Sequence, residues 1–189
     1  GHQTVIWSPS GESANDLGEG ISAEGAIEIR CSTVISTDPA DIANCDAVLV
    51  ALPGYAHKKI FDRIAAFLLD GLPIIVSSHV SFGALYLKQT LEERGITCPV
   101  ICWGTTVVTG RSIPGGVTIN TIRSKVDLCT VPAISSNNGL ALCQELFGDM
   151  FVQRAGLMAI TLSNLNPQNH LGIAIGNMTR MERGEIWSQ

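Results

Sequence analysis

Four polar residues near the end of the chain, Asn166, His170, Asn177 and Arg180, follow one another at intervals of four, seven and three. Those intervals put all four on one face of a helix. Histidine titrates near neutrality and can give or take a proton at working pH. A guanidinium such as that of Arg180 binds a carboxylate through two parallel hydrogen bonds. The stripe therefore holds groups suited to a small carboxylate-bearing molecule. It fits a plainer description equally well: a buried histidine with a local partner among capping and surface residues, with Arg180 as the charge at a helix C-terminus.

The boundaries of that helix can be read directly. Asn166 can cap its start, Pro167 suits the first helical position, and Gly184 suits a left-handed residue just past its end. Gly172, Ile173, Ala174, Ile175 and Gly176 between them are small or apolar and suit close packing.

A second set of candidates sits where apolar runs stop. Residues 47–52 form a continuous apolar run of strand length, as in a strand buried on both faces, and break at Pro53-Gly54. Residues 74–76 form another and close on Ser77, Ser78 and His79, and residues 99–103 a third, followed by Thr105 and Thr106. A strand ending at Trp7 and one over 26–35 precede them. Helices are expected near 14–17, from Asp38-Pro39, over 55–69 with His57 on its surface side, over 81–94, and from Asn137 to Phe147. Residues 104–116 read as a loop, 117–122 and 125–131 as two strands that pair with each other, and everything after Phe151 as helical. Strands alternating with helices across short loops signify a doubly wound parallel sheet, which binds ligands at the carboxyl ends of its strands. As plain alternatives, Pro53-Gly54 is a turn, the serines are caps, and the threonines satisfy loop backbone.

Composition narrows the class. A net charge of −5, with Lys and Arg scattered along the chain, lacks the basic surface that a nucleic-acid partner requires. The apolar runs are of strand length, so no membrane span is expected, and no basic-then-apolar leader is visible. The six cysteines are dispersed, without a C-x-x-C pair or a histidine near Cys98 and Cys102 to complete a metal site. Reduced, buried thiols in a cytoplasmic protein without a metal are the expectation.

Four segments together resemble the opine dehydrogenases of the octopine/nopaline type. They are G-H-x-x-x-x-W at residues 1–7, D-A-V-L-V-A-L-P-G-Y-A-H at 46–57, C-W-G-T-T-V-V-T-G-R at 102–111 and S-N-L-N-P-Q-N-H-L at 163–171. The middle two are shared with related dehydrogenases such as ketopantoate reductases; the last, with its N-x-N-P-x-x-H core, is more specific. The resemblance implies a Rossmann-like doubly wound parallel sheet over residues 1–154, incomplete at its start, and from 155–189 the beginning of an all-helical second domain. It implies an NAD(P)-dependent reductive condensation of an amino acid with a 2-keto acid, with substrates in the cleft between domains. His170 would be the catalytic group. Leu52, Pro53, Gly54, Ser78 and Thr105 would face the cofactor, and Asn166, Thr106 and Arg180 the substrates, with Arg111 a further carboxylate candidate.

The chain also departs from the pattern. No G-x-G-x-x-G turn occurs, and the carboxylate that usually partners the histidine would lie beyond Gln189. The expectation is a chain truncated at both ends that alone binds dinucleotide poorly and turns over slowly or not at all, with exposed sheet edges that invite a homodimer. After Trp7, where an acidic residue usually holds the ribose 2′-hydroxyl, stands Ser8-Pro9-Ser10, with no arginine close in sequence. That absence of an acid leans the cofactor to NADP over NAD. The rival readings are a keto-acid reductase of the same superfamily and a non-catalytic binding or assembly module that kept the fold.

Overall fold

The apolar runs at the middle of the chain do become the centre of a sheet. The computed structural model describes residues 2–9, 20–78, 82–164 and 166–185. Among the described residues the strands are β1 (Val5–Trp7), β2 (Gly20–Gly25), β3 (Ile29–Ser32), β4 (Val34–Ser36), β5 (Val48–Val50), β6 (Ile74–Val76), β7 (Val100–Trp103), β8 (Val108–Ile113), β9 (Gly116–Ile122), β10 (Val126–Val131) and β11 (Phe151–Gln153). The principal sheet has the order β11-β10-β7-β6-β5. Strands β5, β6 and β7 are parallel, in the register Val50↔Val76↔Cys102. Strand β10 then runs antiparallel to β7, and β11 parallel to β10. The sheet is thus mixed on one side.

Every residue of β6 and β7 is buried, as expected for strands covered on both faces. Helices α1 (Gly54–Ile64) and α2 (Gly83–Glu92) cover one face; α3 (Ser136–Phe147) covers the other. The two faces carry separate apolar clusters. Phe61, Ile64, Leu87 and Ile74 belong to the first, and Trp103, Ile101, Leu128 and Cys143 to the second. Strand β5 is different from expectation. Leu49 is 46% exposed, and β5 is the last strand of its sheet, paired on one edge only.

His57 also corrects the sequence reading. It is buried, on the same stripe of α1 as Ile60, Phe61 and Ile64, while Tyr55 is 91% exposed. The spacing of three and four residues to Ile60 and Phe61 forces it inward.

A second sheet has the order β3-β2-β9-β8. Its hairpin is not the expected one. Residues 108–113, read as loop, pair antiparallel with β9 around Pro114-Gly115, where Gly115 has φ of 73°. Strand β10 goes to the other sheet. Residues 20–25, which the sequence reading assigns to no element, form β2 by pairing with β3 and β9, and residues 151–153, at the start of the stretch read as helical, form β11. The short helix expected near 14–17 lies outside the described residues.

Strands β1 and β4 form a separate parallel pair. A cavity of about 330 Å³ lies between β1 and β5, lined by Val5, Ile6 and Trp7 from one strand and Val48, Leu49 and Val50 from the other. After β11, helix α4 (Leu157–Ser163) packs on β10 and buries Leu157 and Ile160 in the first cluster. The single helix expected from Asn166 is two: α5 (Asn166–Gly176) and α6 (Met178–Glu182), broken at Asn177. Asn177 takes φ −118° and ψ 10°, and its side-chain amide donates to the Ile173 carbonyl at 2.9 Å, the local competition that makes asparagine a poor helix-interior residue. The stop at Gly184 is as read, with φ of 65°. No helix among the described residues is long and apolar enough to cross a membrane.

Candidate active site

Parallel pairing of β5, β6 and β7 brings their carboxyl ends to one edge of the sheet. The candidate cofactor residues Leu52, Pro53, Gly54, Ser78 and Thr105 therefore stand along a common edge, with Thr106 beside them. Strand β10 runs the other way, so its first residues join them: the Gly104 amide donates to the Asp127 carbonyl at 2.8 Å.

The turn after β5 is held from below. His57 Nε2 lies 2.9 Å from the Leu52 carbonyl; a carbonyl only accepts, so Nε2 carries the proton. The other ring nitrogen, Nδ1, is buried without a hydrogen-bond partner, and the ring lies 5.3 Å from that of Phe61. One side chain thus links the Leu52-Pro53-Gly54 turn to the core. At the end of β6 the buried Ser77 donates its amide to the Val50 carbonyl at 3.0 Å, and Ser78 takes a left-handed conformation with φ of 57°. Such a conformation is uncommon for a non-glycine residue. His79 lies outside the described residues. Thr106 donates its hydroxyl to the Val108 carbonyl at 2.7 Å, so its oxygen has only acceptor capacity left for a ligand.

At the end of β7 opens a cavity of about 300 Å³ lined by Gly104, Thr105, Arg123, Lys125, Asp127 and Ser163, among others. Asp127 accepts from Arg154 at 2.8 Å. That bond is the main cause of a guanidinium held even more firmly charged than usual.

The helical candidates are arranged differently. His170 is exposed on α5 and is not among the residues lining either cavity. The side chain of Asn166 lies outside the described residues. Arg180 pairs with Glu185 at 3.0 Å and approaches Asn177 Oδ1 at 3.4 Å. The structure thus joins Asn177 to Arg180 and leaves His170 on the exposed surface of the helix before them.

Several polar residues were not singled out by sequence. Arg63 is the most instructive. Its guanidinium lies over the Trp7 ring, 5.3 Å from the centroid, and 3.5 Å from the Pro9 carbonyl. An arginine therefore does stand where the sequence around Trp7 shows none. A separation of more than fifty residues hides it. Arg123 and Lys125 carried a weak signal, two basic residues just before a buried strand.

A mostly parallel sheet covered on both faces, with polar turns gathered at its strand ends and helices following, defines a Rossmann-like α/β protein. More particularly, the fold is of the opine dehydrogenase type. Across 150 residues, 76% of its length, the chain is 30% identical to an opine dehydrogenase from Arthrobacter sp. (strain 1C), of which it covers 40%. Solved structures of octopine dehydrogenase, with NADH and pyruvate or with NADH and L-arginine, superpose with TM-scores of 0.80 and 0.77 at 16% and 15% identity. These matches cover 94% and 93% of this chain and 50% and 48% of theirs. A ketopantoate reductase from Ralstonia eutropha JMP134 matches with a TM-score of 0.59 at 16% identity, over 83% of this chain and 50% of that one. No family model matches the chain. The chain spans about half the length, or less, of the relatives it matches.

Proposed function

We propose that this protein is an NAD(P)-dependent opine-type dehydrogenase, joining the amino group of an amino acid to a 2-keto acid and reducing the resulting imine. The observation that carries the reading is the convergence of Leu52-Pro53-Gly54, Ser78 and Thr105 on one sheet edge in a chain 30% identical to an opine dehydrogenase. Residues 1–154 would form the nucleotide-binding domain and 155–189 the start of the helical one. The nicotinamide cofactor supplies a hydride when bound; the chain's own residues bind, orient and supply the proton. His170 delivers that proton to the imine nitrogen, Leu52 to Gly54, Ser78 and Thr105 face the cofactor, and Asn166, Thr106 and Arg180 contact the substrates. For Arg180 to bind a carboxylate, it must exchange Glu185 for the ligand.

The ribose side of a dinucleotide fits the residues present. Arg63, stacked over Trp7 at the end of β1, offers a guanidinium where a 2′-phosphate would need one, which supports NADP over NAD. The turn after β5 is tied to α1 by the hydrogen bond between His57 and the Leu52 carbonyl.

The test is cofactor oxidation by the protein with pyruvate, with and without a panel of amino acids. Oxidation that requires the amino acid supports the condensation. Oxidation with the keto acid alone points to a simple keto-acid reductase, the reading that the likeness to ketopantoate reductase favours. His170→Ala should abolish turnover and spare cofactor binding; retained turnover removes His170 from the mechanism.

A further inference from the structure

We propose that the cavity at the end of β7 is a carboxylate subsite in which Arg123 is the anchoring residue and Lys125 the second cation, and that it takes a small 2-keto or 2-amino acid. The assignment rests on the dehydrogenase reading for the identity of its ligand but not for its existence.

Charge is the first argument. The cavity is lined by two cations, Arg123 and Lys125, and one anion, Asp127. Asp127 is partly offset: its Oδ2 accepts from Arg154 at 2.8 Å, and its Oδ1 lies 3.9 Å from the Lys125 ammonium. The surplus at the cavity is therefore positive in a chain whose net charge is −5. A positive concavity on a negative protein selects small anions.

The second argument is an unsatisfied donor. Arg123 Nε is buried and makes no hydrogen bond, and the side chain has no ion-pair partner among the described residues. Its backbone is held in place by the Arg123 amide, which donates to the Val107 carbonyl at 2.9 Å. A donor N–H shielded from water without a partner is costly, and a ligand carboxylate would satisfy it with the two-bond geometry that guanidinium favours. Asp127 Oδ1, in the same cavity, is also buried without a hydrogen-bond partner, as are His57 Nδ1 and Thr130 Oγ1; of these groups only Arg123 brings a fixed positive charge to the cavity.

Position is the third. Gly104 and Thr105 form the lip of the cavity at the carboxyl end of β7, on the same edge as the other strand-end turns. Gly104 keeps that lip open, since a Cβ there would lie 3.3 Å from Ile160 Cγ2. A volume of about 300 Å³ suits a molecule of a few carbons.

The test uses the 189-residue chain labelled with ¹⁵N. Pyruvate is titrated in, and the Arg123 Nε–H signal is followed with the backbone amides of Thr105, Lys125 and Ser163. Saturable shifts at these four, an affinity at least tenfold weaker in Arg123→Gln, and an unchanged affinity in Arg30→Gln on the exposed β3 support the subsite. Shifts confined to other residues, or undiminished binding in Arg123→Gln, overturn it. Inorganic phosphate is the second arm: shifts equal to those of pyruvate would make this a general anion site and overturn the carboxylate assignment. Pyruvate binding together with cofactor oxidation that needs no amino acid would leave the subsite standing while the condensation reading fails. Turnover with an unchanged KM for the keto acid in Arg123→Gln would do the reverse.

Discussion

His57 Nε2 and the Leu52 carbonyl, 2.9 Å apart, tie the first turn of α1 to the loop it follows. The bond spans the Pro53-Gly54 turn, which would otherwise be held only by its own backbone. Replacing His57 by alanine removes the donor, leaves a void beside Phe61, and frees the turn. The expected loss is about 1–3 kcal/mol, the range for orphaning a buried polar partner, and urea denaturation at neutral pH measures it. Cofactor affinity should fall with it; unchanged stability would mean that the contact does not hold the turn.

Arg63 should discriminate between the two nicotinamide dinucleotides. Arg63→Gln is expected to weaken NADPH binding by tenfold or more and to leave NADH within about twofold, the pattern of a lost charge-assisted contact to a phosphate. Fluorescence titration of each cofactor compares them directly. Equal losses for both would assign Arg63 to packing against Trp7 and nothing else.

Acid should loosen the contact between α1 and α2. The hydrogen bond from Lys58, then that from Tyr86, holds the Asp62 carboxyl below the usual range. Lys58 and Tyr86 both donate to Asp62, and Tyr86 belongs to α2. A carboxylate whose pKa is lower in the folded state stabilises the fold above its unfolded value of about 3.9, and that contribution disappears as pH falls through the lowered value. Asp62→Asn should therefore shrink the difference in stability between about pH 5 and pH 2.5, measured by chemical denaturation. An unaltered difference would place the acid sensitivity elsewhere.

The six cysteines are all free, and their reactivity should follow burial. Burial raises the Cys98 and Cys143 thiols. A hydrogen bond shared with its cross-strand neighbour Cys129, and then burial, raises Cys102; the same bond lowers Cys129, which is nevertheless enclosed. Iodoacetamide in native buffer should modify Cys31 first and Cys45 slowly, with the other four labelled only in denaturant; mass spectrometry of peptides reads the order. Rapid labelling of Cys102 or Cys129 would show that the sheet opens.

The core sheet was legible in the sequence wherever burial is two-sided. Ile74–Val76 and Val100–Trp103 are apolar without alternation because both of their faces are covered, and their shortness favours strands over helices. What failed was pairing. Residues 108–113 and 20–25 have mixed, half-exposed patterns and become strands only because β9 offers an edge to each of them. The continuous helix after Asn166 failed for a local reason: capping signals locate ends, but they do not weigh an asparagine that bonds its own turn.

Among the candidate site residues, sequence alone determined the strand-end turns, since a turn at the end of a buried strand is a local event; the stripe read from helical period is interrupted at Asn177, which puts His170 on α5 and Arg180 on α6. Only the tertiary structure decided which distant charges arrive at those ends. Asp127 meets both Arg154 and the Gly104 amide because antiparallel β10 brings its first residues to the carboxyl ends of the parallel strands, and Arg63 reaches Trp7 from the last turn of α1. Local propensity and period act over a few residues, whereas the placement of a charge depends on packing that no short window contains.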